Sequence, residues 1–120
     1  MSDDVEQQRA LNRGTWAALQ DAGVSPGDPL TVDAFFFAPG QTSSVALSAD
    51  LQSDGWDAEA RSQKAGLLRR RTTWSVQATR RIASVDLPVL DGMVEVLVRR
   101  ADEHGAEFDG WGAEAPGNAS

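Results

Sequence analysis

The feature that most constrains the fold of this chain is the order in which its hydrophobic periodicities change. Helical and alternating patterns replace one another, and each change marks a new element of secondary structure. Glycines at the predicted helix ends and a proline-rich turn after residue 24 separate the segments. The predicted elements are a helix over 4–22, a strand over 30–37, a helix ending near 53, strands over 56–61 and 73–79, a helix over 86–104 and a strand over 106–109.

This order predicts an α+β domain. The β-α-β-β-α-β pattern of residues 30–114 is typical of a ferredoxin-like sandwich, a four-stranded antiparallel sheet with two helices on one face. Residues 1–29 are predicted to form an N-terminal helix and a connecting turn, and residues 115–120 a disordered tail. We expect one domain, because 120 residues suffice for one hydrophobic core.

Three local features of the chain make finer predictions. The consecutive rings of residues 35–37 place apolar groups on both faces of the first strand, so we expect the N-terminal helix to cover the second face. Leu11, Thr15, Ala18 and Ala22 are predicted to share one moderately apolar face of this helix, with Trp16 and Leu19 beside it. A hydroxyl side chain within residues 42–44 is predicted to cap the second helix.

The residues and segments that the sequence lacks indicate the cellular location of the protein. The chain has no cysteine, which excludes disulfides and thiolate sites. Its first residues are acidic, and no apolar run is long enough to span a bilayer. We therefore expect a soluble, cytoplasmic protein.

Catalytic chemistry is not indicated. The one histidine, His104, lies in the last turn of the third helix, where interaction with the helix dipole is its usual role. Asp57 and Glu59 share a strand face without further metal ligands, and no phosphate-binding loop or nucleophile motif occurs. The sequence predicts a protein that is not an enzyme and that needs no cofactor or metal.

Charge is distributed unevenly around a net value of −7. Residues 61–85 hold seven basic side chains and no acid, whereas the remainder is strongly acidic. Three interpretations stay open: a solvated hairpin, a nucleic-acid-binding module, and a homodimer in which this segment meets the acidic surface of another copy. The candidate basic patch comprises Arg69, Arg70, Arg71, Arg80 and Arg81.

The most specific motif is Phe108-Asp109-Gly110-Trp111-Gly112. Its glycines allow positive φ angles, so the chain can turn and hold the indole in a fixed direction. The tryptophan is either a packing residue or a contact for a partner.

With the element order, this motif resembles the end of the domain in the family of regulator of ribonuclease E activity, protein B. That family has Tyr-Asp-Gly-Trp-Gly there, and Phe108 replaces the tyrosine. Residues 18–23, the polar turn and the strand from Leu30 also match in pattern, so the similarity covers residues 5–114. The resemblance implies a ferredoxin-like domain without enzymatic activity that binds the scaffold region of ribonuclease E and lowers its activity.

A protein partner is therefore predicted to dock on the acidic part of the surface. An Arg/Lys-rich segment of a ribonuclease E-type enzyme would meet carboxylates, with an aromatic ring as its anchor. The candidate contacts are Asp102, Glu103, Glu107, Asp109, Glu114 and Trp111. The short tail and the basic hairpin distinguish this chain from the more uniformly acidic members of that family.

Overall fold

The protein, analysed as a computed structural model, is an α+β structure in the predicted element order. The structure describes residues 2–64 and 72–114, and the side chains of residues 6–62 and 74–113. The predicted tail, residues 115–120, lies outside this range. The described elements are α1 (Ser2–Asp21), β1 (Leu30–Ala38), α2 (Gln41–Ser53), β2 (Asp57–Lys64), β3 (Thr72–Ile82), α3 (Leu87–Glu103) and β4 (Glu107–Glu114).

The sheet has the strand order β2-β3-β1-β4, and each strand is antiparallel to its neighbours. Each β-α-β unit therefore places its two strands with one strand of the other unit between them, as in a ferredoxin-like sandwich. The predicted fold class is confirmed. Strands β1 and β3 are central, so their side chains define both the core and the opposite face.

The core lies between the sheet and α2 and α3. Along β1 the side chains of Leu30, Val32, Ala34 and Phe36 are almost completely buried, while those between them face outward. Leucines of α2 and α3 complete this core, and each fully buried leucine contributes about 2 kcal/mol of hydrophobic free energy. Period-two burial of this kind requires one covered and one uncovered sheet face.

The position of α1 differs from the prediction. The helix packs against α3, on the same side of the sheet as the other helices, and buries Trp16 and Leu19. Leu11, a member of the predicted apolar face, is 56% exposed, because the buried stripe runs through Asn12 and through Trp16 and Leu19, which the prediction placed beside that face. The second sheet face is not covered by any described element, and the expectation that α1 covers it is wrong.

Helix ends follow the glycine predictions but not the hydroxyl prediction. Gly23 and Gly55 have φ angles of 108° and 97°, as expected after α1 and α2. The N-cap of α2 is Gly40, and no side chain caps the helix there. Ser43 and Ser44 donate their hydroxyl hydrogens to backbone carbonyls instead, so the prediction of a hydroxyl cap is wrong.

Strand β4 is longer than predicted, and the glycine-tryptophan motif lies inside it. The register of β4 on β1 shifts at Asp109, which is left as an extra residue in a β-bulge. Phe108 and Trp111 are three residues apart and would point to opposite faces of a regular strand. The bulge turns both side chains toward the core, and Gly110 supplies the φ of 139° that the bulge requires.

The two glycines beside Trp111 are therefore expected to differ in their tolerance of a methyl group. Gly110→Ala should lower the free energy of unfolding by about 1–3 kcal/mol, the usual cost of a non-glycine residue held in a disfavoured backbone region. Gly112→Ala is the matched control, because Gly112 has no positive φ and no atom within 4 Å of an added Cβ. Urea unfolding of both variants measures the difference. Equal losses in the two variants would contradict the role of the bulge.

Candidate functional site

The indole of Trp111 is held by a chain of side-chain hydrogen bonds. Its Nε1 donates to Oδ1 of Asn12 at 2.7 Å, and Nδ2 of Asn12 donates to Oδ1 of Asp91 at 3.0 Å. Asn12 is completely buried, so both of its hydrogen bonds replace bonds to water. The chain connects β4 to α1 and α1 to α3, and the single polar group of Trp111 is used within the protein.

Sequence reasoning missed Asn12. Its signal was a polar residue one helical turn before Trp16, within the stripe that the structure shows to be buried. Nothing local indicates that Trp111, distant in sequence, supplies the donor for a polar residue in that place.

The predicted partner surface is divided by the fold. Asp102 and Glu107 lie together in a cleft of about 230 Å³ between α1, α3 and β4. Glu103 forms an exposed ion pair with Arg100 at 3.1 Å. The bulge places Asp109 beside the uncovered sheet face, whereas Trp111 points toward the helices. The side chain of Glu114 lies outside the described residues.

The uncovered sheet face presents two aromatic rings that the prediction did not place in a binding surface. Phe35 and Phe37 are 40% and 43% exposed at the centre of the sheet. They lie in a shallow cavity of about 270 Å³ whose other walls include Arg61 and Asp109. The exposed rings identify this face, called the open face below, as the main apolar feature of the sheet surface.

Carboxylates surround these rings. Asp33 accepts a hydrogen bond from Oγ1 of Thr79 at 2.6 Å, and Glu59 pairs with Arg61 at 3.0 Å in an exposed ion pair. The described acids whose strand positions share the open face outnumber its two arginines, Arg61 and Arg81. These acids are Asp33, Asp57, Glu59, Asp109 and Glu107, the last at the β4 edge, where it also lines the cleft beside α1 and α3. The open face is therefore acidic at its rim and aromatic at its centre.

The predicted basic patch is only partly described. Arg69, Arg70 and Arg71 lie outside the described residues. Arg80 and Arg81 lie near the end of β3, eight and nine residues after its first residue, Thr72. At the usual rise of a strand, they are about 26 Å or more from Thr72. There they line a cleft of about 520 Å³ next to α3.

His104 occupies the C-cap of α3, close to the predicted position, and connects α3 to α2. Its Nε2 lies 2.5 Å from Oδ2 of Asp50, and its carbonyl accepts the hydroxyl hydrogen of Ser43. The hydrogen bond from His104 lowers the pKa of Asp50 below its ordinary value. The histidine thus has a structural partner, and no group of metal-ligating side chains occurs among the described residues.

A second connection between α2 and α3 involves Arg100. Its Nε and Nη2 donate to the two carboxylate oxygens of Asp54 at 2.9 and 3.0 Å, a bidentate geometry. These hydrogen bonds, followed by the one to Glu103, raise the pKa of the guanidinium above its ordinary value. Arg100 and His104 together fix the end of α3 against α2.

The sequence matches the family described as RraB, regulator of ribonuclease activity B, over residues 9–113. The chain belongs to the RraB family. The match includes both Asn12 and Trp111, so the interhelical hydrogen-bond chain lies within the family region. The resemblance inferred from the glycine-tryptophan motif is confirmed, and the family is one of regulators rather than enzymes. No individual curated protein matches the chain.

None of the helices in the described part of the chain combines the length and the apolar character needed to cross a bilayer.

Loss of the indole N–H should destabilise the protein through Asn12. Trp111→Phe leaves the buried Oδ1 of Asn12 without its donor, and we expect a loss of about 1–3 kcal/mol in the free energy of unfolding. A double-mutant cycle with Asn12→Ala separates this hydrogen bond from the loss of ring volume. Additive effects of the two substitutions would show that the hydrogen bond contributes nothing.

The Asp50–His104 hydrogen bond predicts a loss of stability in acid. Because the pKa of Asp50 is lowered in the folded state, its contribution is complete above the ordinary pKa of 3.8 and disappears as the pH falls through the lower folded value. Urea unfolding of the wild type and of Asp50→Asn at pH 7, 5, 4 and 3 measures how much this hydrogen bond contributes to the free energy of unfolding. The difference between them should shrink below about pH 4. A constant difference would contradict the assignment.

Proposed function

We propose that this protein is a non-catalytic regulator that binds a ribonuclease E-type enzyme through the open face of its sheet. The observation that carries the proposal is the exposure of Phe35 and Phe37 at the centre of that face. Membership of the RraB family supports regulation of a ribonuclease. The lack of a metal-binding cluster in the described residues is consistent with action through a surface.

Aromatic anchors in a polar rim are the usual composition of a protein-binding surface. Large rings supply most of the binding free energy, and the rim excludes water and sets specificity. With β1 nine residues long and four strands about 4.8 Å apart, the open face measures about 15 by 30 Å. This area is smaller than the roughly 800 Å² that each partner buries in a standard interface. The face therefore suits a segment of a larger partner.

The charge of the open face indicates the chemistry of that segment. Arginine can stack its guanidinium on the rings of Phe35 and Phe37 and can bind carboxylates such as Asp33 and Asp109. Asp102 and Glu107 would continue the acidic surface past the β4 edge. An Arg/Lys-rich segment is thus the favoured ligand, with Phe35 and Phe37 as anchors in place of Trp111, whose indole is bonded to Asn12.

RNA is the alternative ligand for a four-stranded sheet with exposed aromatics. Such platforms stack bases on rings and attract phosphates with basic side chains. The described rim contains Asp33, Glu59 and Asp109, whose charges repel phosphate. The composition of the open face therefore favours a basic protein segment.

The function is tested with a purified ribonuclease E-type enzyme from the same organism. The wild-type protein should bind it and lower its rate of RNA cleavage, and the affinity should fall as salt increases. The double variant Phe35→Ala/Phe37→Ala should bind at least about tenfold more weakly, because both anchors are truncated. Binding is measured by calorimetry and cleavage with a labelled RNA.

Val45→Ala is the matched control, since Val45 is 53% exposed on α2, away from the open face. Circular dichroism checks that every variant is folded. Unchanged inhibition by the double variant, or no binding by the wild type, would refute the proposal. Direct retention of RNA by the protein alone would support the nucleic-acid alternative, and a mass above that of the monomer in light scattering would support the homodimer.

A further inference from the structure

The layer of helices is incomplete beside the first half of α3. Helix α2 ends at Ser53, and its C-cap Asp54 meets Arg100 in the second half of α3. Beyond that contact, α3, the end of β3 and the segment between α2 and β2 enclose a cleft of about 520 Å³. The cleft therefore begins at the C-terminal end of α2, where Asp54 lines it.

The wall that α3 contributes to this cleft is apolar. Val89, Gly92, Met93 and Val96 recur at the spacing of one helix face, and all four line the cleft. Val89 and Val96 are 40% and 39% exposed, so the cleft is open along the helix. Trp56, only 5% exposed, contributes to the opposite wall. An open apolar groove between a helix and the end of a central strand suits the side of another helix.

The charge of the cleft is opposite to that of the rest of the protein. Arg80 and Arg81 line it, and neither forms an ion pair with another side chain in the described ranges. The one acid of the lining, Asp54, is engaged by Arg100 at 2.9 Å. The strand position of Arg80 faces the helices, so its available guanidinium lies beside an apolar stripe and is complementary to a carboxylate on an amphipathic segment.

We propose that this cleft binds a short acidic amphipathic helix of a partner protein. The occupant places two or three apolar side chains, one turn apart, against Val89, Met93 and Val96, and an Asp or Glu residue against Arg80. Seven residues separate Val89 from Val96, about 10 Å along the helix axis, so two turns of the occupant are held. A small molecule would remain largely exposed in so open a cleft, whereas ligand pockets bury most of their ligand.

Selection of peptides from a display library of random 12-residue segments, with the full-length protein as bait, tests this inference. The selected peptides should be enriched in Asp and Glu beside apolar residues at helical spacing. A synthetic copy of the most enriched peptide then serves as the probe in fluorescence anisotropy. Val96→Asp and Arg80→Glu should each weaken its binding roughly tenfold, since they oppose its apolar and acidic groups.

Matched controls locate the binding site. Val45→Asp places the same charge on an exposed valine of α2 outside the cleft and should leave the affinity unchanged. Phe35→Ala/Phe37→Ala should also leave it unchanged, so this result is independent of the open face and of its proposed partner. Peptides without acidic enrichment, or binding that survives Val96→Asp and Arg80→Glu, would overturn the inference. Binding lost only with the phenylalanine substitutions would overturn it as well.

Discussion

The hydrogen-bond chain from Trp111 through Asn12 to Asp91 is the interaction on which the arrangement of this protein depends. It joins the last strand, the first helix and the third helix at a completely buried amide. An asparagine there is stable only when both ends of its side chain have partners, since an unpaired buried polar group costs more than a typical hydrogen bond gains. The bulge at Gly110 is what turns the indole toward that amide.

This arrangement separates the structural and the functional faces of the sheet. All three described helices lie on one side, so Phe35 and Phe37 are exposed on the other. Trp111 of the motif that resembles the family therefore packs against the helices. The proposed partner surface is the opposite face of the sheet. The charged groups divide in part, with acids more numerous than arginines around the open face and Arg80 beside the cleft on α3.

Much of the fold could be predicted because its signals are local. Alternation along β1 and the glycines Gly23 and Gly55 marked the elements and their ends in advance. The failures concern packing between distant segments. Leu11 and Asn12 are neighbours with similar helical surroundings, and only contact with Trp111 and Asp91 decides that the polar one is buried. The candidate site was affected in the same way. Asp109 and Trp111 were both predicted to contact the partner, but the bulge places Asp109 beside the open face and turns Trp111 toward the helices.

The sequence by itself determined the element order, the family and the presence of an acidic surface with one basic segment, because periodicity, turn residues and charge are properties of the chain. Only the tertiary structure decided where those features meet. The side on which α1 packs determines which face of the sheet stays open. The end of α2 at Ser53 determines where a cleft remains beside α3. Both outcomes depend on contacts between residues far apart in sequence, which no local pattern records.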